Sequence, residues 1–329
     1  MAGLNILLVR VSSLGDVLHN LPMVADILRH YPDATIDWVV EEGYVSLVRL
    51  NPQVRKIIPF ALRRWRKSLG QKSTRDEIKT FYRTLREEQY DYVFDTQGLL
   101  KTGVIMRAAR VKPGGRKVGL ANGSEGSGYE GISRIFHTES VPLDPRTHAV
   151  ARGRLVAAAA LNYAVDSAPD FGLPLDDASP RPAWMPRADY AVFFHGTARA
   201  AKKWPQENWV ATGRALAPMP VLLAWGSPAE KFDAETLAAS LPNARVLPKL
   251  SMDEAVTLAR NAALAIGVDT GLTHIAAAFL RPTIEIYADS PKWKTEGNWS
   301  PRIINLGDKG AAPTVAEVLA AVEQLKAVA

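Results

Sequence analysis

Two aspartates stand where an apolar run gives way to a helical pattern. In VRVSSLGDVLHN (9–20) Asp16 follows Ser12, Ser13 and Gly15, and in LAIGVDTGLTHIAAAF (264–279) Asp269 precedes Thr270, Gly271, Thr273 and His274. A carboxylate at such a junction is either a helix cap or a group presented at the mouth of a sheet, where it could act as a base. The second junction also offers an anion unpaired backbone N–H groups, a hydroxyl and the positive end of a helix dipole, with Gly271 allowing close approach. HGTARAAKKWPQENW (195–209) repeats the form, with Thr197, Arg199, Lys202 and Lys203 between a strand end and Pro205. Basic side chains and a hydroxyl there suit a diphosphate, whose leaving charge they could neutralise. Trp204 reads as a packing residue. In AWGSPAEK (224–231) Glu230 could accept hydrogen bonds from a ribose, or could be a first-turn glutamate facing its own helix dipole.

The elements that must carry these groups follow from the pattern. LNILLVR (4–10), TIDWVV (35–40), VRKIIPF (54–60) and YDYVFD (90–95) read as strands, and helical spacing appears from Val17 to Leu28 and near 75–89, 98–110 and 148–163. Pro22 should kink the first helix or start its second segment. Residues 166–189 hold five prolines and no periodicity, as an interdomain linker would. Alternation then resumes with strands at 190–195, 221–225, RVLP, 264–268 and TIEIYA, and with helices between them and at the C-terminus. The expectation is an α/β protein of two doubly wound, Rossmann-like domains, 1–165 and 190–329, the last helix free to pack back on the first. Ligands of such sheets bind beyond the strands' carboxyl ends, and the cleft between two such domains is the expected site.

The chain of 329 residues is 47% hydrophobic and 22% charged, with a net charge of +6 and no cysteine. Disulfides, thiol catalysis and thiolate metal sites are thereby excluded. No apolar run is long enough to span a bilayer and the N-terminus lacks signal-peptide character, which favours the cytoplasm. A basic block runs from Arg49 to Lys79, opposed by only Asp76 and Glu77. It is either a solvated surface or the footprint of an acidic partner, and Arg63–Trp65–Arg66 would suit nucleic acid as well as anionic lipid. GSGYEG (126–131) matches the dinucleotide fingerprint, but Pro142 and Pro145 interrupt what should follow, so it reads as a flexible glycine loop. There is no Walker A sequence, no H-E-x-x-H, no G-x-S-x-G and no Asp-x-Asp.

In order along nearly the whole chain, VSSLGDVLHNLP, WVVEEG, RRWRK, KKWP, AWGSP, PKLS and VDTGLTHIAAA resemble the lipopolysaccharide heptosyltransferases, glycosyltransferase family 9. The D-T-G-L-T-H segment is typical of the family at large, while WVVEEG and RRWRK point to the branch acting on the Kdo region. The resemblance implies a GT-B fold and inverting transfer from ADP-L-glycero-β-D-manno-heptose to Kdo₂–lipid A. It also implies no metal or other cofactor, no nucleic acid, and work at the anionic cytoplasmic face of the inner membrane. Position by position, it makes Asp16 the base and Lys202 the leaving-group stabiliser. Thr197, Lys202, Thr270 and Gly271 become diphosphate contacts, Glu230 the nucleotide-side acid and Leu250 the lining of the adenine pocket. Ser13, Gly15, Asp269 and His274 join the donor set, and Arg63, Arg64, Arg66 and Lys67 face the acceptor. At Tyr129–Glu130 some relatives place an arginine before the glutamate, so no acceptor contact is assigned there. Alternatives are a relative with another acceptor (a further core sugar or a protein), a GT-B-like sugar-nucleotide epimerase, and a nicotinamide dehydrogenase resting on GSGYEG.

Overall fold

The computed structural model describes residues 3–175, 181–197 and 199–327, and the chain divides into two compact units after Gly172. In the first unit, β1 (Asn5–Val9), α1 (Leu14–His19), α2 (Leu21–His30), β2 (Thr35–Glu41), α3 (Val45–Arg49) and β3 (Val54–Phe60) come first. They are followed by α4 (Leu62–Trp65), α5 (Lys72–Leu85), β4 (Gln89–Asp95), α6 (Leu100–Ala108), β5 (Arg110–Leu120), β6 (Glu139–Val141) and α7 (Ala149–Leu161). The strands form one parallel sheet in the order β3-β2-β1-β4-β5-β6. Central β1 is apolar on both faces, Ile6 to Val9 being fully buried, because helices cover a parallel sheet on both sides.

Pro22 sits in the first turn of α2 and so starts the second helical segment, where its missing N–H costs nothing. A buried bidentate pair ties α2 to α7: Arg154 donates to Asp26 at 2.6 and 3.1 Å and also to the carbonyl of Ser167. Asn51 donates to the carbonyl of Phe171. Residues 166–172, expected in the linker, therefore belong to the first unit, while 176–180 of that stretch lie outside the described residues.

The second unit contains β7 (Ala191–Phe194), α8 (Gln206–Ala215), β8 (Val221–Leu223), α9 (Pro228–Ala239), β9 (Ala244–Val246) and α10 (Met252–Arg260). It closes with β10 (Leu264–Val268), α11 (Gly271–Ala278), β11 (Thr283–Tyr287), β12 (Ile303–Gly307) and α12 (Val315–Ala327). Its parallel sheet runs β9-β8-β7-β10-β11-β12, the same winding as the first. Each sheet reverses strand order once, between β1 and β4 and between β7 and β10, and the carboxyl ends at such a reversal leave a crevice for ligand. The last helix joins the second unit's own core: Val318, Ala321, Val322 and Leu325 pack with Ile284, Ile286 and Trp209.

Strands β5, β6 and β12 are absent from the sequence reading. In β5, Pro113, Gly114 and Gly115 look like a turn; Gly114 has φ +80° and the pairing with β4 shifts register beside it. The GSGYEG segment is a loop pinned by the Tyr129 hydroxyl to the carbonyls of Leu120 and Ala121, and it leads into a 3₁₀ segment, Gly131–Phe136, instead of a phosphate-binding helix.

Candidate active site

In the first unit the strand ends at the reversal carry the charged groups. Asp16 is the third residue of α1, and its Oδ2 accepts from the Ser13 backbone N–H at 3.1 Å and the Ser13 hydroxyl at 2.9 Å. Its Oδ1 pairs with Arg10 at 2.7 Å. Arg10, buried at the end of β1, is itself held by the carbonyl of Thr96 beyond β4. Burial alone would raise the Asp16 carboxyl, but Arg10 and the two Ser13 donors outweigh it and hold it well below the usual carboxylate range. Asp16 is thus at once a cap and a carboxylate that is ionised at neutral pH, with 35% of its side chain open to solvent. Oδ2 is taken by the two Ser13 donors, whereas Oδ1, paired with Arg10 alone, keeps a further lone pair for an incoming hydroxyl.

Around it, Ser12 accepts from Gln97 at 3.2 Å and Lys101 at 3.1 Å, and buried Asp95 fixes the β4–α6 turn through Gln97, Gly98 and Thr102. Burial raises the Glu41 carboxyl against the pull of Arg63 and Lys101. Burial lowers the Lys101 ammonium, Glu41 opposes, and Arg63 and Arg66 add to the fall. Arg63 and Arg66 therefore bear on the same strand ends as Asp16's neighbours, and Lys67 is exposed beside them. Arg64 differs from the expectation: it bridges Glu42 at 3.0 Å and Glu77 at 2.8 Å, and Glu77 also takes the Trp65 indole N–H. It braces α4 against α5. Arg10, Gln97, Lys101 and Glu41 escape the motif reading; a charge closing an apolar strand, as in NILLVR and WVVEE, signals Arg10 and Glu41, and nothing in the pattern signals the other two.

In the second unit Asp269 stands just before α11, whose N-cap position Thr270 occupies without a side-chain capping bond. Its Oδ2 accepts from Lys202 at 2.5 Å and Ser290 at 2.6 Å, its Oδ1 from His274 at 3.0 Å and Thr295 at 3.1 Å. The other His274 nitrogen donates to Glu285 at 2.8 Å. Glu285, fully buried on β11, also accepts from the Tyr287 hydroxyl and the Gly297 N–H. Burial would lower the imidazole, but Glu285 and Asp269 on either side push it up to about 10, so it is an imidazolium at neutral pH. Burial likewise opposes ionisation of Asp269, and His274 with Lys202 overrides it, holding the carboxyl far below its ordinary value.

His274, expected in the donor set, is 97% buried with its two nitrogens on Glu285 and Asp269, and it positions Asp269. Asp269, accepting from four side chains, fixes the Lys202 ammonium beside the N-terminus of α11. The Thr273 hydroxyl turns back to the Val268 carbonyl at 2.8 Å and is not offered to an anion. Thr197 and Lys202 lie on the loop after β7, whereas Arg199 pairs with Asp289 and Lys203 with Asp233. Trp204 packs edge-on against Trp209, as expected.

Glu230 is the third residue of α9, its Oε2 taken by the Gly226 and Ser227 amides, and a Cβ on Gly196 would collide with it. It is a cap whose carboxylate also lines the β7 loop. Leu250 is half-buried just before the Ser251 cap of α10. Glu285, Ser290 and Thr295 went unread; a glutamate inside the apolar run TIEIY was the available signal. Among the described residues, no group of three or more histidines and carboxylates is arranged to hold a metal ion.

Two units of identical winding, each with charged side chains at its strand reversal, fit the two-domain GT-B architecture. A model of glycosyltransferase family 9 (heptosyltransferase) matches residues 78–321, and the chain belongs to that family. It is 39% identical over 290 residues to lipopolysaccharide heptosyltransferase 1 of Pseudomonas aeruginosa, covering 86% of this chain and 78% of that protein. Escherichia coli heptosyltransferase WaaC, solved with ADP, superposes with a TM-score of 0.85 at 31% identity, covering 98% of this chain and 99% of that one. The same enzyme with ADP-2-deoxy-2-fluoro heptose gives 0.79 at 31% identity over 97% and 99%.

Proposed function

We infer that this heptosyltransferase moves L-glycero-D-manno-heptose from ADP-heptose to the Kdo region of Kdo₂–lipid A, with inversion and without a metal, at the cytoplasmic face of the inner membrane. The observation that carries the reading is Lys202, fixed by Asp269 beside the N-terminus of α11: an ammonium and free backbone amides together suit a diphosphate. Relatives solved with ADP and with an ADP-heptose analogue support that donor.

In the reaction, an acceptor hydroxyl oxygen bonds to the anomeric carbon as the bond from that carbon to the diphosphate breaks. The hydroxyl proton passes to Asp16, and the electron pair leaves with ADP, whose charge meets Lys202, Thr197 and the amides of Thr270 and Gly271. A carboxylate stabilised as strongly as Asp16 is a weak base, so it takes the proton late, once the attacking oxygen has begun to lose charge. Glu230 and Leu250 serve the nucleoside, Ser13 and Gly15 shape the turn that admits substrate, and Arg63, Arg66 and Lys67 pair with acceptor carboxylates and phosphates. Among the described residues no helix is long and apolar enough to cross a membrane, so contact with the lipid-bound acceptor would be peripheral. Incubation with ADP-heptose and Kdo₂–lipid A in EDTA should add one heptose mass; no gain, or a gain only with added divalent metal, would refute the reading.

A further inference from the structure

Helix α6 and the 3₁₀ segment Gly131–Phe136 lie side by side in the first unit, for a Cβ on Gly103 would run into the Phe136 ring. Their outer faces are apolar. Leu100 and Val104, one helical turn apart, are 46% and 41% exposed; Ile132 and Ile135, one 3₁₀ turn apart, are 55% and 68% exposed. Aliphatic side chains aligned on neighbouring elements make a ridge, and a ridge of this kind on a folded surface marks an interaction site.

Its surroundings say what covers it. Exposed Arg107 continues the Leu100–Val104 face, Arg134 stands between the two isoleucines, and Lys117 reaches the Arg107 carbonyl. Lys101, next to Leu100, is half-buried, donates to Ser12 at 3.1 Å and lies in the field of Glu41 and Glu130 as well as of Arg63 and Arg66. The only carboxylate engaged on the ridge itself, among the described residues, is Glu130, spent on the Leu100 N–H. Apolar side chains ringed by cations match the boundary layer of an anionic bilayer, where aliphatic groups enter the acyl region and guanidinium groups meet phosphates. A protein partner of ordinary composition would leave these cations unpaired.

We propose that the α6–Gly131–Phe136 ridge is the surface by which this protein docks on anionic phospholipid. The ridge begins at the carboxyl end of β4, one residue from Lys101 and so from the Ser12–Asp16 turn. A lipid-anchored acceptor held in the same bilayer would present its sugar beside Asp16; this consequence rests on the function proposed above, while the docking does not.

The test is sedimentation of the full chain with phosphatidylcholine vesicles made with and without phosphatidylglycerol, with neither donor nor acceptor present. Wild type should bind the anionic vesicles. The variant Leu100→Ser/Val104→Ser/Ile132→Ser/Ile135→Ser should bind them at least about tenfold more weakly, since it removes the inserting surface. Arg107→Ser/Arg134→Ser should lose the salt-sensitive part of binding and keep a salt-independent remainder. Both should unfold at the wild-type temperature, because the changed side chains are exposed. Unchanged binding by the serine variant overturns the proposal, as does a concentration-dependent dimer that this variant abolishes. A protein that transfers heptose to detergent-dispersed acceptor yet ignores vesicles refutes the docking alone. One that binds vesicles but transfers nothing refutes the function alone.

Discussion

Asp16 and Asp269 each stand just past a central strand at a reversal, Asp16 after the first strand of its sheet (β1) and Asp269 after the fourth of its own (β10), and they do opposite things there. Asp16 is braced by Arg10 and Ser13 and leaves 35% of its side chain open. Asp269 is 9% open, and each of its oxygens accepts from two side chains. Both are held ionised, so charge does not distinguish them. Access does. A carboxylate with room for one more donor can receive a proton from substrate, whereas a saturated one can only hold its donors in place. On the function proposed above, proton transfer falls to the first unit and leaving-group stabilisation to the second.

The largest effect expected from breaking this division is at Asp16. Asp16→Asn should lower kcat by about 10²–10⁴-fold and leave the donor KM unchanged. Because the carboxyl is depressed, wild-type kcat should show no fall as pH drops through the ordinary carboxylate range; a loss centred near pH 4 would mean the Arg10 brace is ineffective. Next comes Lys202→Ala, which should cost about 10²–10³-fold in the chemical step and also weaken ADP. Wild-type kinetics would remove Lys202 from the site.

Glu285→Gln sharpens the second half of the comparison. The folded-state value of His274 lies above its ordinary 6.5, so its charged form stabilises the fold fully below that pH, and the contribution drains away as pH rises to about 10. Wild-type melting temperature should therefore fall across that window. The Gln variant, having lost the stronger carboxylate partner, should start lower and fall less. Identical slopes would show that His274 is not charged between the two acids. The smallest effect is expected at Arg64, whose partners are Glu42 and Glu77: Arg64→Ala should change acceptor KM by less than Arg66→Ala does, and the reverse order would return Arg64 to the acceptor set.

Much of this was legible because strand-to-helix junctions announce themselves. Apolar runs broken by small residues placed Asp16, Lys202, Thr270 and Gly271 correctly at strand ends. What stayed hidden was the partnering. Whether Asp16 was cap or base could not be read from spacing, since the capping Ser13 bonds and the Arg10 pair coexist on one carboxylate. Glu285 reaches His274 only because β11 lies beside β10 in register, a contact set by sheet order. Strand β5 was missed because its Pro113-Gly114-Gly115 bulge carries turn chemistry into a sheet. Arg64 looked like its neighbours in RRWRK until α5 supplied Glu77.

The most direct test of the division of labour sets Asp16→Asn beside Asp269→Asn, measuring ADP affinity by calorimetry and single-turnover heptose transfer at saturating ADP-heptose. Asp16→Asn should bind ADP like wild type and stall in transfer, while Asp269→Asn, with Lys202 released, should bind ADP weakly. Normal single-turnover transfer by Asp16→Asn, or undiminished ADP affinity in Asp269→Asn, would contradict that division.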